Sequence, residues 1–178
     1  YITTPYLIVD SEMKTALCLA AKRGVDVQII TPGIPDKKIV WDLTRSYYPE
    51  LLSAGVHIYE YTPGFIHSKL CICDDEAAVT GTINFDYRSL YLHFENACLF
   101  IYNAVVLQAK MTFCVRRKNP RRSSLKIWGI SKSIEVCSAV SITQSCGYLH
   151  RFCQKKSLGT LKQKMSIFIC EAIFSSTD

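Results

Sequence analysis

The sequence predicts an α/β fold in which a mostly parallel or mixed sheet is flanked by helices. Short apolar segments alternate with segments of helical periodicity through residues 1–103, and a strand-helix-strand order favours parallel strands covered by helices. Hydrophobic residues make up 49% of the 178-residue chain, which is enough for a buried core and excludes general disorder. No apolar run of about 18 or more residues occurs, so we expect no transmembrane span.

The first predicted elements are a strand, a helix and a second strand. Residues 1–9 are typical of a strand that ends near residues 4–6. Asp10 is placed to cap the helix, and Gly24 ends it before a largely apolar strand over residues 25–30. The apolar face of the helix consists of Met13, Ala16, Leu17 and Ala20.

A loop, a second helical segment and a third strand follow. Asp36 is placed to cap this helix, and Gly55 ends it before a strand over residues 56–61. Pro49 lies inside the helical pattern, so we expect a kink or a split at Tyr48. The apolar stripe of this segment consists of Ile39, Val40, Leu43, Leu51 and Leu52.

Residues 66–73 form an apolar run that ends at an Asp-Asp turn signal, which favours a short buried strand. Side chains two residues apart share one face of a strand, so we expect His67 and Lys69 to point together. Leu70 and Ile72 then point the opposite way into a core. Residues 77–79 are predicted to form the hairpin partner of this strand, and residues 97–102 another strand.

Six residues in and after this strand follow the spacing H-x-K-x4-D-x6-G-[ST]-x-N: His67, Lys69, Asp74, Gly81, Thr82 and Asn84. Such a pattern arises by chance about once in 10⁶ starting positions. An imidazole can act as a nucleophile or a proton carrier, and a lysine is a compact charge suited to a phosphate. Gly81 would permit close backbone approach, while Thr82 and Asn84 would donate to non-bridging oxygens. The pattern predicts a phosphodiester site; the alternative is a Gly-Thr turn beside a buried histidine with satisfied hydrogen bonds.

This stretch resembles the HKD motif of the phospholipase D superfamily. The segments D-Y-R-S at residues 86–89 and F-E-N at residues 94–96 are similar to those that follow the motif in cardiolipin synthases. The resemblance implies a phospholipase D-like fold, of which this chain supplies one lobe. It also implies that His67 is catalytic, and that Lys69 and Asn84 hold phosphate.

Two carboxylates take further roles from the resemblance. Asp74 is implied to be the structural carboxylate of the motif, which ties down neighbouring backbone. Glu95 lies where relatives often carry a carboxylate that orients the catalytic imidazole and stabilises its protonated form. The alternative for Glu95 is a surface or salt-bridged glutamate.

Upstream segments carry the same resemblance: T-P-Y before the first helix, then G-V-D-V, P-G-x-P-D, T-R-S-Y and A-G-V-x-I-Y-E-Y. The match covers about residues 1–103, which are similar to the C-terminal catalytic half of a cardiolipin synthase. We therefore expect one catalytic half-domain over residues 1–103, followed by a basic, Cys/Ser-rich tail over residues 104–178. Arg45 and Tyr47 would either line a lipid or glycerol site or lie on a solvated helix face, which is the favoured interpretation.

The two parts of the chain differ in charge. Residues 1–103 carry 8 Lys+Arg against 12 Asp+Glu, whereas residues 104–178 carry 13 against 3. The basic tail could contact anionic lipid headgroups, worth about 1 kcal/mol per basic residue, and charge alone equally allows a nucleic-acid patch. The favoured hypothesis is a reading-frame shift near Asn103 that replaced the original sequence. The nine cysteines show no disulfide framework and no zinc spacing, which indicates a reducing compartment and no metal.

The resemblance implies one active site built from two HKD motifs, in one chain or across a homodimer. One histidine attacks phosphorus; the other protonates the leaving alkoxide and then activates the acceptor alcohol. We expect His67 to be the acid and base, with nucleophile as the alternative. The expected reaction joins two phosphatidylglycerol molecules into cardiolipin and releases glycerol without a cofactor. Hydrolysis, or an inactive chain that only binds anionic lipid, is the alternative.

The implied partners are phosphatidylglycerol, a membrane surface, and either a missing N-terminal HKD half or a second copy of this chain. A nucleic acid partner is not favoured. The implied location is the cytoplasmic face of the cell membrane. The chain begins at Tyr1 and its first methionine is Met13, so we expect a fragment whose activity in isolation is weak or absent.

Overall fold

The computed structural model describes residues 1–118, which form a mixed six-stranded sheet, a separate pair of strands and four α-helices. The strands are β1 (Ile2–Thr3), β2 (Leu7–Ile8), β3 (Gln28–Pro32), β4 (His57–Tyr61), β5 (Leu70–Cys73), β6 (Ala77–Gly81), β7 (Phe85–Asp86) and β8 (Ala97–Ile101). The helices are α1 (Ser11–Lys22), α2 (Lys38–Ser46), α3 (Tyr48–Ser53) and α4 (Ala104–Lys118), with a single π-helical turn at Arg88–Leu92. The predicted α/β class is confirmed.

The large sheet has the strand order β4-β3-β1-β5-β6-β8. Its first three strands are parallel, whereas β5, β6 and β8 join by antiparallel pairing. The carboxyl ends of β1, β3 and β4 therefore meet the start of β5, the end of β6 and the start of β8 at one edge. We call this edge, marked by Thr3, Pro32, Leu70, Gly81 and Ala97, the carboxyl edge.

The first predicted strand is divided in two. β1 and β2 belong to different sheets, because the chain leaves the large sheet at Thr4. The Thr4 N–H still donates to the carbonyl oxygen of Ile30 at 3.1 Å. The next residue, Pro5, has no N–H with which to continue the ladder. The second predicted strand is also displaced, from residues 25–30 to Gln28–Pro32.

The helix caps follow the prediction in one case out of two. Asp10 caps α1, accepting a 2.7 Å hydrogen bond from the Met13 N–H. Asp36 does not cap α2, which begins without a side-chain cap; its carboxylate instead accepts from the Lys37 N–H and the Tyr6 hydroxyl. The predicted split at Tyr48 is confirmed, because α2 ends before it and α3 begins there.

Helices cover both faces of the sheet and enclose two cores. The core under α1 and α3 contains Ile2, Leu7, Val9, Met13, Leu17, Ala20, Val27, Ile29, Tyr47, Tyr48, Leu51, Val56, Ile58 and Phe85. The core under α4 contains Ile30, Ile66, Leu70, Ile72, Ala78, Val106 and Phe113. Leu70 and Ile72 thus face α4, whereas Cys71 packs against the opposite core. This confirms the alternation predicted for β5.

The folded unit continues past the boundary predicted after Asn103. Val106 and Phe113 of α4 are fully buried against the sheet. Arg117, part of the predicted basic patch, donates a 2.8 Å hydrogen bond to Gln28 at the start of β3. The rest of the tail, with its remaining basic residues, lies outside the described residues, and the reading-frame shift near Asn103 remains a prediction. Within residues 1–118 no helix is long and apolar enough to cross a membrane.

Three predictions for the α2 region need correction. Tyr47 is buried in the core rather than placed on a solvated helix face. Arg45 forms a 3.0 Å ion pair with Glu60, which is itself buried on β4. Ile39, expected on the apolar stripe, is 70% exposed, whereas Leu43, one turn later on the same face of α2, is buried.

Candidate active site

His67 and Lys69 lie at the carboxyl edge, in the segment that leads into β5. The sequence predicted that both residues lie on the strand, but β5 begins at Leu70, so they precede it. The Lys69 carbonyl oxygen marks the end of the pairing, accepting from the Thr80 hydroxyl at 3.1 Å and from the Gly81 N–H at 3.4 Å. The His67 side chain is exposed, and its ring centroid lies 5.6 Å from that of Phe65. The imidazole is therefore accessible to a ligand.

The Lys69 side chain folds back toward His67 and is partly buried. Its ammonium group donates a 2.8 Å hydrogen bond to the His67 carbonyl oxygen. Burial lowers the pKa of Lys69, and the nearby carboxylates of Glu95 and Asp86 partly offset that shift. Lys69 thus shares the carboxyl edge with two carboxylates, and its present acceptor is one that a phosphate oxygen could replace.

Gly81 is required by the contact between two strands. It pairs with Ala97 at the start of β8. A Cβ atom at residue 81 would clash with the carbonyl oxygen of Asn96 and lie 2.6 Å from the Ala97 Cα. The space at Gly81 is thus needed by the backbone of the neighbouring strand, and its role in phosphate binding remains a prediction.

The Thr82 hydroxyl is already engaged on both sides. It donates to the Glu95 carboxylate and accepts a 3.0 Å hydrogen bond from the Asn96 N–H. The Thr82 N–H in turn donates to the Asn96 carbonyl oxygen at 2.8 Å. These hydrogen bonds hold Glu95 and Asn96 beside the end of β6, and the phosphate contact of Thr82 remains a prediction.

Asn84 retains an unpaired group. Its Nδ2 donates a 3.0 Å hydrogen bond to the Ser89 hydroxyl, while its buried Oδ1 has no hydrogen-bond partner among residues 1–118. The Ser89 hydroxyl also donates its one proton to Glu95, so it can only accept from Asn84, which fixes the orientation of the amide. Nδ2 carries a second N–H group, and this is the donor that Asn84 could offer a ligand.

The loop that carries Asn84 is held by the N-terminal segment. The adjacent β7 pairs in parallel with β2, matching Leu7 with Phe85. The Phe85 N–H also donates to the Thr4 hydroxyl at 3.1 Å. The T-P-Y segment at residues 4–6 is thus joined to the candidate site.

Glu95 is the centre of a polar cluster at the carboxyl edge. It accepts hydrogen bonds from Thr82 and Ser89, and its Oε1 lies 3.5 Å from Nδ1 of His93. Burial raises the pKa of Glu95, but these hydrogen bonds and His93 outweigh it, so the pKa lies below its ordinary value. Glu95 therefore stays ionised. Its predicted action on His67 remains a prediction, because its side-chain contacts within the described part of the chain are to Thr82, Ser89 and His93.

Asp74 lies away from this cluster. It follows Cys73 at the far end of β5, about 13 Å of strand from the carboxyl edge. It is exposed, has a φ of 49°, and accepts a 3.3 Å hydrogen bond from the Cys73 thiol. This position sets Asp74 apart from the other predicted site residues, and its role in tying down neighbouring backbone remains a prediction.

Four residues of the cluster had no role in the sequence prediction. Asp86 accepts a 2.7 Å hydrogen bond from the Ser89 N–H, which starts the π-helical turn. Arg88 donates to His93, which faces Glu95. The available signal was the D-Y-R-S segment, which places a carboxylate, a guanidinium and a hydroxyl within four residues of each other. Only the tertiary structure reveals what each of them contacts.

The family model described as "Cardiolipin synthase, PLD-like domain" matches residues 1–114, beyond the predicted end of the resemblance. An uncharacterized protein of Streptococcus mutans is 57% identical over 122 residues, covering 68% of this chain and 26% of that protein. A cardiolipin synthase of Halalkalibacterium halodurans is 54% identical over 101 residues, covering 56% of this chain and 20% of that protein. The chain thus spans about a quarter or less of these curated relatives.

A solved structure has a similar fold. It is Nuc, a phospholipase D family member from Salmonella typhimurium, which superposes with a TM-score of 0.54. The match covers 68% of this chain and 76% of that one, at 21% identity. At this identity the likeness concerns the fold, which agrees with the mixed sheet described above.

Proposed function

Because the chain belongs to the cardiolipin synthase family with a phospholipase D-like domain, we propose that it supplies one half of a phosphatidyltransferase active site. The observation that carries this proposal is the grouping of His67, Lys69 and Asn84 with the Glu95 cluster at the carboxyl edge. An accessible imidazole, a cation and an unpaired amide are the groups that a phosphodiester needs. The proposed substrate is phosphatidylglycerol, and the proposed products are cardiolipin and glycerol.

His67 would act as the general acid and base. A histidine from a second HKD motif attacks phosphorus, and the phosphorus–oxygen bond to the departing glycerol breaks as His67 donates a proton to that oxygen. His67 then removes a proton from a glycerol hydroxyl of a second phosphatidylglycerol. This oxygen attacks phosphorus and the phosphorus–nitrogen bond breaks, which returns both histidines to their starting states.

Lys69 and Asn84 would stabilise the phosphoryl oxygens during both steps. The Lys69 ammonium is held within the site by the His67 carbonyl oxygen, so little movement is needed to transfer its hydrogen bond to a phosphate. Partial burial strengthens its attraction to an anion. Asp74 would support the turn after β5.

The second motif would come from another half of a longer protein or from a second copy of this chain. Since the substrate is a lipid, the protein would work at a membrane surface, and we place it at the cytoplasmic face of the cell membrane. Isolated chains without the second motif would have weak or no turnover. Nucleic acid is not a proposed partner.

A product assay tests this function. The full chain is incubated with phosphatidylglycerol vesicles, and lipids are separated and identified by mass spectrometry, with His67→Ala as the inactive variant. His57→Ala is the matched control, because His57 is exposed on β4 outside the candidate site. Cardiolipin made by the chain and by His57→Ala, but not by His67→Ala, supports the transferase.

Other products would separate the alternatives. Phosphatidic acid without cardiolipin would indicate a hydrolase. Absence of turnover even when a second HKD half is supplied, together with vesicle binding that His67→Ala retains, would indicate a chain that only binds anionic lipid. Acid-labile label from radioactive phosphatidylglycerol on His67 itself would make it the nucleophile rather than the acid and base.

A further inference from the structure

His93 is a second histidine at the carboxyl edge, and the proposed mechanism gives it no task. It ends the π-helical turn, where its N–H donates a 2.8 Å hydrogen bond to the Arg88 carbonyl oxygen. This five-residue closure is wider than an α-helical turn and brings the two side chains together. The Arg88 Nη2 lies 3.1 Å from the Nε2 of His93.

The contact with Arg88 determines where the imidazole carries its proton. A guanidinium has donors only, so Nε2 of His93 must accept. The single proton of the neutral ring then lies on Nδ1. That nitrogen faces Oε1 of Glu95 at 3.5 Å. We propose that His93 is a positioning residue, held by Arg88 in its Nδ1–H tautomer so that it fixes the Glu95 carboxylate at the active site.

The other contacts of Glu95 explain why such a residue is needed. Thr82 holds one carboxylate oxygen, Oε2, while His93 faces the other. With both oxygens held, the plane of the carboxylate is fixed beside Lys69. Without His93, Oε1 loses this partner and the carboxylate can rotate about its remaining contacts. The inference rests on the proposed function only for its effect on turnover.

The tautomer is measured directly by nuclear magnetic resonance. Long-range proton–nitrogen correlations of the full chain labelled with ¹⁵N-histidine distinguish a protonated Nδ1 from a protonated Nε2. The signal of His93 is assigned from its loss in His93→Gln. We expect the Nδ1–H form in the unaltered chain and a larger share of the Nε2–H form in Arg88→Ala. An Nε2–H form in the unaltered chain, or no response to Arg88→Ala, would overturn the proposal.

A titration of the Glu95 carboxyl carbon gives an independent readout. Because His93 is one of the groups that lower the pKa of Glu95, we expect that pKa to rise toward its ordinary value in His93→Leu. His93→Asn, which keeps a neutral amide donor, should leave it lower than His93→Leu does. A pKa of Glu95 unchanged in both variants would count against the contact.

The effect of His93 variants on kcat tests whether the position of Glu95 matters for the reaction. In the assay described above, His93→Leu should lower kcat about tenfold with little change in KM, and His93→Asn should recover most of the loss. His57→Leu is the matched control, since that histidine is exposed and faces Asp26 at 4.0 Å away from the site. A proportional loss of kcat in the His57 control would refute a specific role. Weak or absent turnover is what the proposed function expects of a chain without its second motif, and the tautomer measurement then decides the role of His93. Phosphatidic acid as the only product would defeat the proposed function without affecting that measurement.

Discussion

The ammonium group of Lys69 donates a 2.8 Å hydrogen bond to the carbonyl oxygen of His67, two residues earlier in the chain. The two residues that we propose for phosphate chemistry are thus joined to each other by a hydrogen bond. A phosphate oxygen that replaces the carbonyl would receive a donor already in position. This hydrogen bond and the partial burial of Lys69 predict how replacing the lysine changes phosphate affinity and thermal stability.

Lys69→Met should weaken binding of inorganic phosphate about tenfold or more, the loss expected when a charged hydrogen bond is removed. It should not lower the thermal midpoint at neutral pH. Burial lowers the Lys69 pKa, so the folded state disfavours its proton and the cost of burying it disappears as pH rises through that pKa. Phosphate titration and thermal melts measure both effects. Lys14→Met, on the surface of α1, is the control; unchanged phosphate affinity in Lys69→Met would contradict the assignment.

Gly81→Ala should destabilise the chain by about 2 kcal/mol, because the new Cβ forces β6 and β8 apart. Chemical denaturation monitored by circular dichroism gives the change. Gly64→Ala is the matched control, since a Cβ there meets no atom within 4 Å. Equal stability of the two variants would show that the strand contact tolerates a methyl group.

Phe113→Ala should destabilise the chain by about 3 kcal/mol, the usual cost of removing a buried phenyl group. The ring is fully buried and lies 5.2 Å from the ring of Tyr1. Met111→Ala, on the same helix but 60% exposed, should change stability by less than about 0.5 kcal/mol. Denaturant titration gives the free energy of unfolding of both variants. Similar small changes in the two would show that α4 does not unfold together with the sheet.

Cys73 should react slowly with iodoacetamide at pH 8, whereas Cys98 should react readily. Burial, followed by the hydrogen bond and charge of Asp74, raises the pKa of Cys73 to about 12. The thiolate is the reactive form, so labelling of Cys73 should increase only as pH rises toward that value. Cys98 is exposed on the edge strand β8. Mass spectrometry of the labelled peptides at several pH values measures the labelling rates of the two cysteines. Faster labelling of Cys73 than of Cys98 would disprove the prediction.

Most of the fold could be predicted from local patterns. The Asp10 cap, the break between α2 and α3 at Pro49, and the β5–β6 hairpin each arise from neighbouring residues and formed as expected. The predictions that failed depend on distant partners. Asp36 bonds the Tyr6 hydroxyl instead of capping α2, and residues 1–9 divide because their two halves join different sheets.

The sequence did not predict α4 for a related reason. α4 follows a change of composition, and its exposed face carries Leu107, Met111 and Val115 as well as basic residues. Such a helix has no clear amphipathic pattern. What identifies it as part of the fold is the burial of Val106 and Phe113 on a sheet face built from residues far upstream.

The sequence alone predicted which residues could serve phosphate chemistry, because His67, Lys69 and Asn84 lie close together in the chain at the spacing of one family's motif. The tertiary structure decided which residues of the motif lie together and which already contact other parts of the chain. Gly81 and Thr82 are occupied by the backbone of β8 and by Glu95, and Asp74 lies at the other end of its strand. Hydrogen bonds between residues distant in the chain depend on strand pairing, which a linear motif does not record.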